Sequence, residues 1–153
     1  MKYVYYNDTI VGEVGVVEED GYIIEVLVNE KIKDAEIKLT NLIQETFDQL
    51  DDYFKGKRKE FDIKIKLKGT SFQQKVWEEL VRIPYGSTLS YKDIATKIGN
   101  MKASRAVGRA NNKNPIPIIV PCHRVIGKNG KLVGYAMGLE IKQMLLDLEN
   151  KYK

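Results

Sequence analysis

The spacing of apolar positions changes twice along the chain. Tyr3-Val4-Tyr5-Tyr6, residues 9–17 and residues 22–28 are dense in β-branched and aromatic side chains and predict strands, with Asn7-Asp8 and Asp20-Gly21 between them as turn signals. Residues 29–34 are polar and read as a loop. Over residues 35–54 the period lengthens: Leu39, Leu42, Ile43, Phe47 and Leu50 recur at helical spacing, and Gly56 within the basic cluster Lys55, Lys57, Arg58 and Lys59 ends the element. Phe61, Ile63, Ile65 and Leu67 then alternate with Asp62, Lys64 and Lys66, the pattern of a half-buried strand. Lys68-Gly69 reads as a boundary, giving an N-terminal lobe of a small β-sheet plus a helix over 1–68 and a second lobe over 69–153.

The second lobe is mostly helical, so the chain as a whole predicts an α+β fold. Ser71 with Gln74 forms a capping box ahead of Phe72, Val76, Leu80 and Val81, and Ile83-Pro84-Tyr85-Gly86 ends that helix with turn chemistry. Ser90 with Asp93 caps a second helix that buries Ile94, Ala95 and Ile98 and stops at Gly99; a third helix spans about 102–112. Helix, short glycine-containing turn, helix is helix-turn-helix spacing, although any helical hairpin has the same outline. On the third helix Ala103, Ala106, Val107 and Ala110 share a stripe, and Gly108 sits mid-helix. Two readings are open: the stripe packs on a neighbouring helix, or its smooth part enters a groove about 6 Å wide while Arg105 and Arg109, one turn apart, reach DNA. Asn129-Gly130, between residues 125–127 and 131–133, predicts a short β-hairpin, and a last helix over about 139–149 is expected to bury Leu139, Ile141, Leu145, Leu146 and Leu148.

Composition narrows the possible chemistry. The 153 residues are 43% hydrophobic and 30% charged, a globular balance. One cysteine, Cys122, and one histidine, His123, exclude an internal disulfide and a His/Cys metal centre, so no metal and no cofactor is expected, an all-carboxylate site staying formally open. No apolar run reaches the roughly 18 residues of a membrane span, and the start lacks a signal-peptide pattern; the expected location is intracellular, in the cytoplasm and on DNA. Charge is unevenly divided. Residues 1–68 carry 11 basic against 15 acidic side chains, and residues 69–153 carry 14 against 6. Within 92–131 nine basic residues face one acid, Asp93. So lopsided a segment favours a polyanion partner, because neutralised phosphates release counterions.

The chemistry converges on residues 111–125. Pro115, Pro117 and Pro121 stiffen the segment, and Ile118-Ile119-Val120 is apolar enough to be buried, so Cys122 leaves a core on a rigid support. A lone intracellular cysteine is often an inert hydrophobe. Here the only histidine is adjacent and the surroundings are basic, which would raise the thiolate fraction. Neighbours in extended chain point apart, so His123 needs a kink or a bridging water to reach Cys122. A histidine base also needs an orienting acceptor, and Glu149 is among the few acids of this half.

Pro-Cys-His-Arg-Val at 121–125 resembles the active-site motif of the O6-alkylguanine-DNA alkyltransferases, also called methylated-DNA–protein-cysteine methyltransferases. Tyr53-Phe54-Lys55-Gly56, Gly69-Thr70-Ser71-Phe72-Gln73, Ile83-Pro84-Tyr85-Gly86, Ser90-Tyr91, Arg105-Ala106-Val107-Gly108, Asn114-Pro115, Gly134-Tyr135 and the Lys142…Leu145-Leu146…Glu149 pattern follow in family order. The resemblance covers roughly residues 50–149.

That resemblance implies direct reversal of DNA damage: irreversible, stoichiometric transfer of the alkyl group from O6-alkylguanine, in a flipped-out nucleotide, to Cys122. It implies His123 as a base acting through water, Glu149 orienting it, and Asn114 bracing the cysteine loop. Tyr91 crowds the target phosphate and contacts the guanine. Tyr135, Ala136, Val125 and Lys142 surround the base. Ala103, Arg105, Ala106 and Arg109 face DNA, with Arg105 filling the stack where the nucleotide leaves. The implied partner is double-stranded DNA carrying O6-alkylguanine, with O4-alkylthymine a further candidate, bound by a monomer that could cluster along the duplex; no membrane partner is implied. Two other classes compete on the residues alone: a helix-turn-helix regulator with Cys122 merely buried, and a Cys-His hydrolase, which the adjacency of its two residues disfavours.

Overall fold

The computed structural model describes residues 1–132 and 134–153. The chain divides into two compact units, Met1–Leu67 and Lys68–Lys153.

In the first unit β1 (Lys2–Thr9), β2 (Gly12–Glu19) and β3 (Tyr22–Val28) form an antiparallel meander, and the two-residue β4 (Glu36–Ile37) adds to β1 in parallel, for the order β3-β2-β1-β4. Val4, Val17, Ile24 and Leu27 make one apolar cluster, with Tyr6, Ile32 and Ala35 packed against it. Helix α1 (Asn41–Phe54) buries Ile43, Phe47, Leu50 and Tyr53.

Three local expectations are corrected in this unit. Asn7 and Asp8 are strand residues paired with Val14 and Glu13; the chain reverses later, at Ile10-Val11, where the Thr9 hydroxyl accepts from Val11 N–H and donates to the Gly12 carbonyl, and Gly12 takes φ 115°. The helix starts at Asn41 rather than near residue 35, because Thr40 caps it through the Ile43 N–H while Glu36–Ile37 pair with β1. Residues 61–67 keep their alternating burial but touch the sheet only at a bridge between Ile23 and Ile65, held by bonds from Ile23 N–H to the Lys64 carbonyl and from Lys66 N–H to the Ile23 carbonyl.

The second unit is built from α2 (Ser71–Val81), β5 (Leu89–Ser90), α3 (Tyr91–Lys97), α4 (Ser104–Asn112), a 3₁₀ turn at Cys122–Arg124, β6 (Val125–Ile126) and α5 (Leu139–Tyr152). The cap of α2 is Thr70 with Gln73, one residue earlier than the sequence suggested: Thr70 is extended and its side chain accepts from Gln73 N–H, while Gln73 reaches back to the Thr70 N–H. Ser90 and Asp93 form the expected capping box at α3. The turn of the expected hairpin is present. Asn129 and Gly130 take φ 64° and 75°, the left-handed pair of a tight turn, and Gly127 N–H donates to the Lys131 carbonyl. β6 pairs in parallel with β5, Leu89 opposite Val125; Val133, on the return side of the turn, lies outside the described residues.

Helices α2, α3 and α4 pack on one another, and the indole N–H of the buried Trp77 donates to the Ala110 carbonyl at 2.9 Å, fixing α4 on α2. Helix α5 carries the largest departure from pattern. Its buried stripe is Lys142, Leu145 and Glu149, whereas Leu139 is exposed and Ile141, Leu146 and Leu148 are half-buried. Two charged residues occupy positions an amphipathic helix gives to aliphatic side chains.

The Ser90 cap sets the start of the helix that carries Tyr91. Ser90→Ala is expected to lower stability by about 1 kcal/mol and Ser90→Gly by only a few tenths, read as shifts of the urea midpoint at constant slope.

Candidate active site and nucleic-acid interface

Cys122 opens the 3₁₀ turn, which supplies the kink that an extended segment would lack. Pro121, at φ −80° and ψ 65°, turns the chain into it, and the Cys122 N–H bonds the Val120 carbonyl at 2.8 Å. The loop before it is braced by Asn114: its Nδ2 donates to the Val120 carbonyl at 2.8 Å and its Oδ1 accepts from Ile116 N–H at 3.0 Å. Within that brace Ile118 is fully buried at φ 75°, a left-handed conformation costly for a β-branched residue. The loop therefore holds its shape against a local preference, through packing and the asparagine bridge.

The thiol is only 2% exposed. Its sulfur lies 3.8 Å from the Tyr135 hydroxyl. Burial pushes its pKa up, and hydrogen bonds from Asn114 and Tyr135 and the charge of Lys142 oppose that rise without cancelling it. The expectation of a basic neighbourhood with a raised thiolate fraction is thus corrected: desolvation outweighs positive charge, and the resting sulfur is a thiol. Removing its proton needs a base.

His123 follows and is completely buried. Its Nε2 sits 2.6 Å from Glu149 Oε2. The Glu149 carboxylate, 1% exposed, also accepts from Arg124 Nε at 2.8 Å, from Arg124 Nη2 at 3.0 Å and from the Gly86 backbone N–H at 3.0 Å. The Ile83-Pro84-Tyr85-Gly86 segment is therefore more than a helix stop. Its Gly86 amide holds the carboxylate, its Ile83 carbonyl accepts from Arg124 Nη1 at 2.7 Å, and its Tyr85 ring lies 5.6 Å from the guanidinium. Burial lowers the His123 pKa; Glu149 raises it, and Arg124 and Lys142 lower it further.

The remaining expected base-contacting residues gather nearby. Lys142 is buried with Nζ 5.6 Å from the Tyr135 ring and 6.0 Å from the Tyr91 ring; desolvation lowers its pKa and the Cys122 charge raises it. Tyr91 is half-buried, its hydroxyl 3.5 Å from the Gly134 carbonyl, and burial pushes its pKa up. Val125 and Tyr135 are buried and Ala136 is exposed at the following turn. Helix α4 is two-faced. Val107, Ala110 and Asn111 are buried, Arg105 and Arg109 are exposed one turn apart, Ala106 lies between, and Ala103 stands just before the first turn. Of the stripe, Val107 and Ala110 pack and Ala103, expected on the DNA side, is also buried, while Ala106 is half-buried and Arg105 and Arg109 beside it are exposed. Gly108 faces Tyr91, where a Cβ would lie at an ordinary 3.8 Å, so the ring does not require the glycine.

Two residues here were not singled out from the sequence. Asn111, 1% exposed, donates from Nδ2 to the Cys122 carbonyl at 3.3 Å and so links α4 to the acceptor turn. Arg124 was quoted within a motif, but nothing in the linear pattern shows that an arginine will be 6% exposed and locked to a residue of the last helix. Among the described residues no group of three or more His, Cys, Asp or Glu could hold a metal ion, and no helix is long and apolar enough to cross a membrane.

Comparison with known proteins agrees across both units. Residues 71–151 match the family model described as 6-O-methylguanine DNA methyltransferase, DNA binding domain, and residues 1–67 match that of the same family's ribonuclease-like domain. A methylated-DNA–protein-cysteine methyltransferase of Methanosarcina acetivorans is 56% identical over 119 residues, 78% of this chain and 76% of its own. The constitutive one of Bacillus subtilis is 46% identical over 158 residues, 97% of this chain and 96% of its own. The crystal structure of Mycobacterium tuberculosis OGT in complex with DNA is similar at a TM-score of 0.92 and 42% identity, covering 98% of this chain and 94% of that one.

A histidine whose folded pKa lies below its unfolded value near 6.5 favours the native state fully above that pH, and its contribution is lost as pH falls toward the lower folded value. Nuclear magnetic resonance of this single imidazole is expected to show it neutral at pH 6.5, with its protonation midpoint below that of a free histidine; a midpoint above 6.5 would contradict the burial effect.

Proposed function

The chain belongs to the 6-O-methylguanine DNA methyltransferase family, which repairs DNA by alkyl transfer to a cysteine, and from that premise we propose how its own residues perform the transfer and on which lesion. The observation that carries the reading is the chain of groups from the buried Cys122 thiol, followed in the same turn by His123, to Glu149. Cys122 is the one cysteine of the sequence and therefore the acceptor.

The preferred lesion is O6-alkylguanine in duplex DNA, methyl foremost. An O-alkyl carbon inside a base stack cannot be approached in line with its leaving oxygen, so the nucleotide is extruded. Arg105 and Arg109 on the exposed face of α4 meet the duplex, with Arg105 replacing the departed base and the small Ala106 letting the helix approach the groove floor. Tyr91 presses on the target phosphate and contacts the guanine, Tyr135 and Val125 flank the ring, and the Ala136 backbone amide donates toward O6. Lys142 adds positive charge on which the departing anion can lean. The same pocket chemistry extends to O4-alkylthymine as a poorer substrate. One molecule per lesion suffices, and the protein acts as a monomer that can gather along one duplex.

The step itself balances without a cofactor. Neutral His123, with its Nε2–H directed at Glu149, accepts the thiol proton through a water molecule. Sulfur attacks the alkyl carbon, the C–O6 bond breaks, and its electron pair stays on O6. The proton held by the imidazolium returns to the guanine. The thioether left on Cys122 is a poor leaving group, so the protein is spent after one event.

Incubation with duplex containing O6-methylguanine is expected to place one methyl group on the peptide containing Cys122, read by mass spectrometry, and none on Cys122→Ser. An unmodified thiol after complete exposure, or repeated turnover of an activated ester, would refute single-use transfer. His123→Asn is expected to slow transfer by about 10²–10⁴-fold. Duplex affinity is expected to fall steeply as salt rises, and Arg105→Ala to impair transfer from duplex more than transfer from the free alkylated base.

A further inference from the structure

The geometry points to Arg124 as a positioning residue for the transfer: by gripping both oxygens of Glu149 it keeps the neighbouring His123 uncharged, and hence able to accept a proton. This inference rests on the roles given above to Cys122 and His123 and assigns the part of a residue that they leave unexplained.

A buried carboxylate raises the proton affinity of an imidazole it touches. Alone, an anionic Glu149 at 2.6 Å would draw a proton onto His123 and hold it there as an ion pair. An imidazolium cannot serve as a base. Arg124 removes that outcome in two ways. Its guanidinium stays protonated at all relevant pH, so it supplies a fixed positive charge that cannot be handed to a neighbour. It also binds in a fork, Nε to Oε1 at 2.8 Å and Nη2 to Oε2 at 3.0 Å, so that Oε2 is shared between arginine and histidine. With Gly86 N–H on Oε1, the carboxylate is neutralised, held in plane and left pointing at Nε2. Its remaining pull orients the ring and favours the proton on Nε2 without capturing a second one.

The fork is itself anchored. Arg124 Nη1 reaches the Ile83 carbonyl at 2.7 Å and the Tyr85 ring backs the guanidinium, so the residue is held from the loop as well as from α5. The charged groups that act on His123 are Glu149 and Lys142 on α5 and Arg124 in its own turn, where Cys122 precedes it; Tyr85 on the loop acts on Glu149 and Arg124, and among the described residues the buried face of α2, with Val76, Trp77 and Leu80, carries no charge. Arg124 makes two charged hydrogen bonds to the carboxylate that contacts the histidine. Burial is the largest cause that lowers the His123 pKa, Glu149 raises it, and Arg124 then acts in the same direction as burial, against Glu149. A lysine at this place would bring the charge as a point on a flexible stem, without the fork and without the second anchor.

The test uses Arg124→Lys, and Arg124→Met in case the conservative change retains enough charge to mask the effect. Two quantities are followed on the full-length protein: the protonation midpoint of the single imidazole by nuclear magnetic resonance, and the rate of methyl transfer from O6-methylguanine duplex against pH. Arg124→Met is expected to raise the midpoint by about one pH unit or more. The acidic limb of the rate profile should move upward by the same amount, so the variant is most impaired near neutrality and partly recovers in alkali. Arg124→Lys should shift both in the same direction by less. If Arg124→Met does not fold, the double variant Arg124→Met/Glu149→Gln, which removes the uncompensated buried charge, is expected to fold with the midpoint near or below that of the parent. A midpoint and a rate profile unmoved in Arg124→Met, or in Arg124→Lys where Arg124→Met does not fold, would overturn the inference and leave Arg124 a merely structural residue, as would a midpoint in the double variant well above that of the parent. Failure of the parent to methylate would instead refute the functional reading, and the imidazole titration would still decide the role of Arg124.

Discussion

A single carboxylate, buried on the last helix, organises the second unit. Glu149 accepts from an imidazole, from two nitrogens of a guanidinium and from a backbone amide, and these donors come from two separate stretches of chain, neither of them its own helix. Burying one carboxylate without partners would cost several kcal/mol, and these donors offset that cost in the folded state. The loop at Ile83–Gly86, the turn at Cys122–Arg124 and helix α5 are consequently tied at one point. The acceptor cysteine inherits its position from that knot.

The site also explains why a reactive sulfur can remain quiet. Burial favours the neutral thiol, and the compensating groups, Asn114, Tyr135 and Lys142, are too few to reverse it. Reactivity is thus withheld until a base and a substrate are both in place. For a protein consumed by its own chemistry, low reactivity toward stray electrophiles is as necessary as high reactivity toward the lesion.

Much of this was legible in the linear pattern, and the exceptions share a cause. The meander, α2, α3 and α4 follow from periodicity and caps, and Cys122, His123 and Glu149 stood out because each is scarce or oddly placed. What pattern could not reveal were pairings made at a distance. Asn7-Asp8 has turn composition, but its partners Val14 and Glu13 hold it in a strand. Asn129-Gly130 makes its tight turn, and Val125 also pairs with Leu89, 36 positions away, which no local pattern announces. On α5 the apolar residues were expected inside, and Lys142 and Glu149 took that place because charge was needed there. Arg124 was invisible for the same reason: its importance lies in which carboxylate it meets.

The indole of Trp77 carries one last implication. It is the chain's only tryptophan, it is sealed from solvent, and its N–H is bonded to the helix that bears Arg105 and Arg109. Excited at the long-wavelength edge, where its nine tyrosines do not absorb, this molecule therefore emits from one reporter wired to one rod, and a change in its colour or brightness would register that rod shifting, with no dye attached.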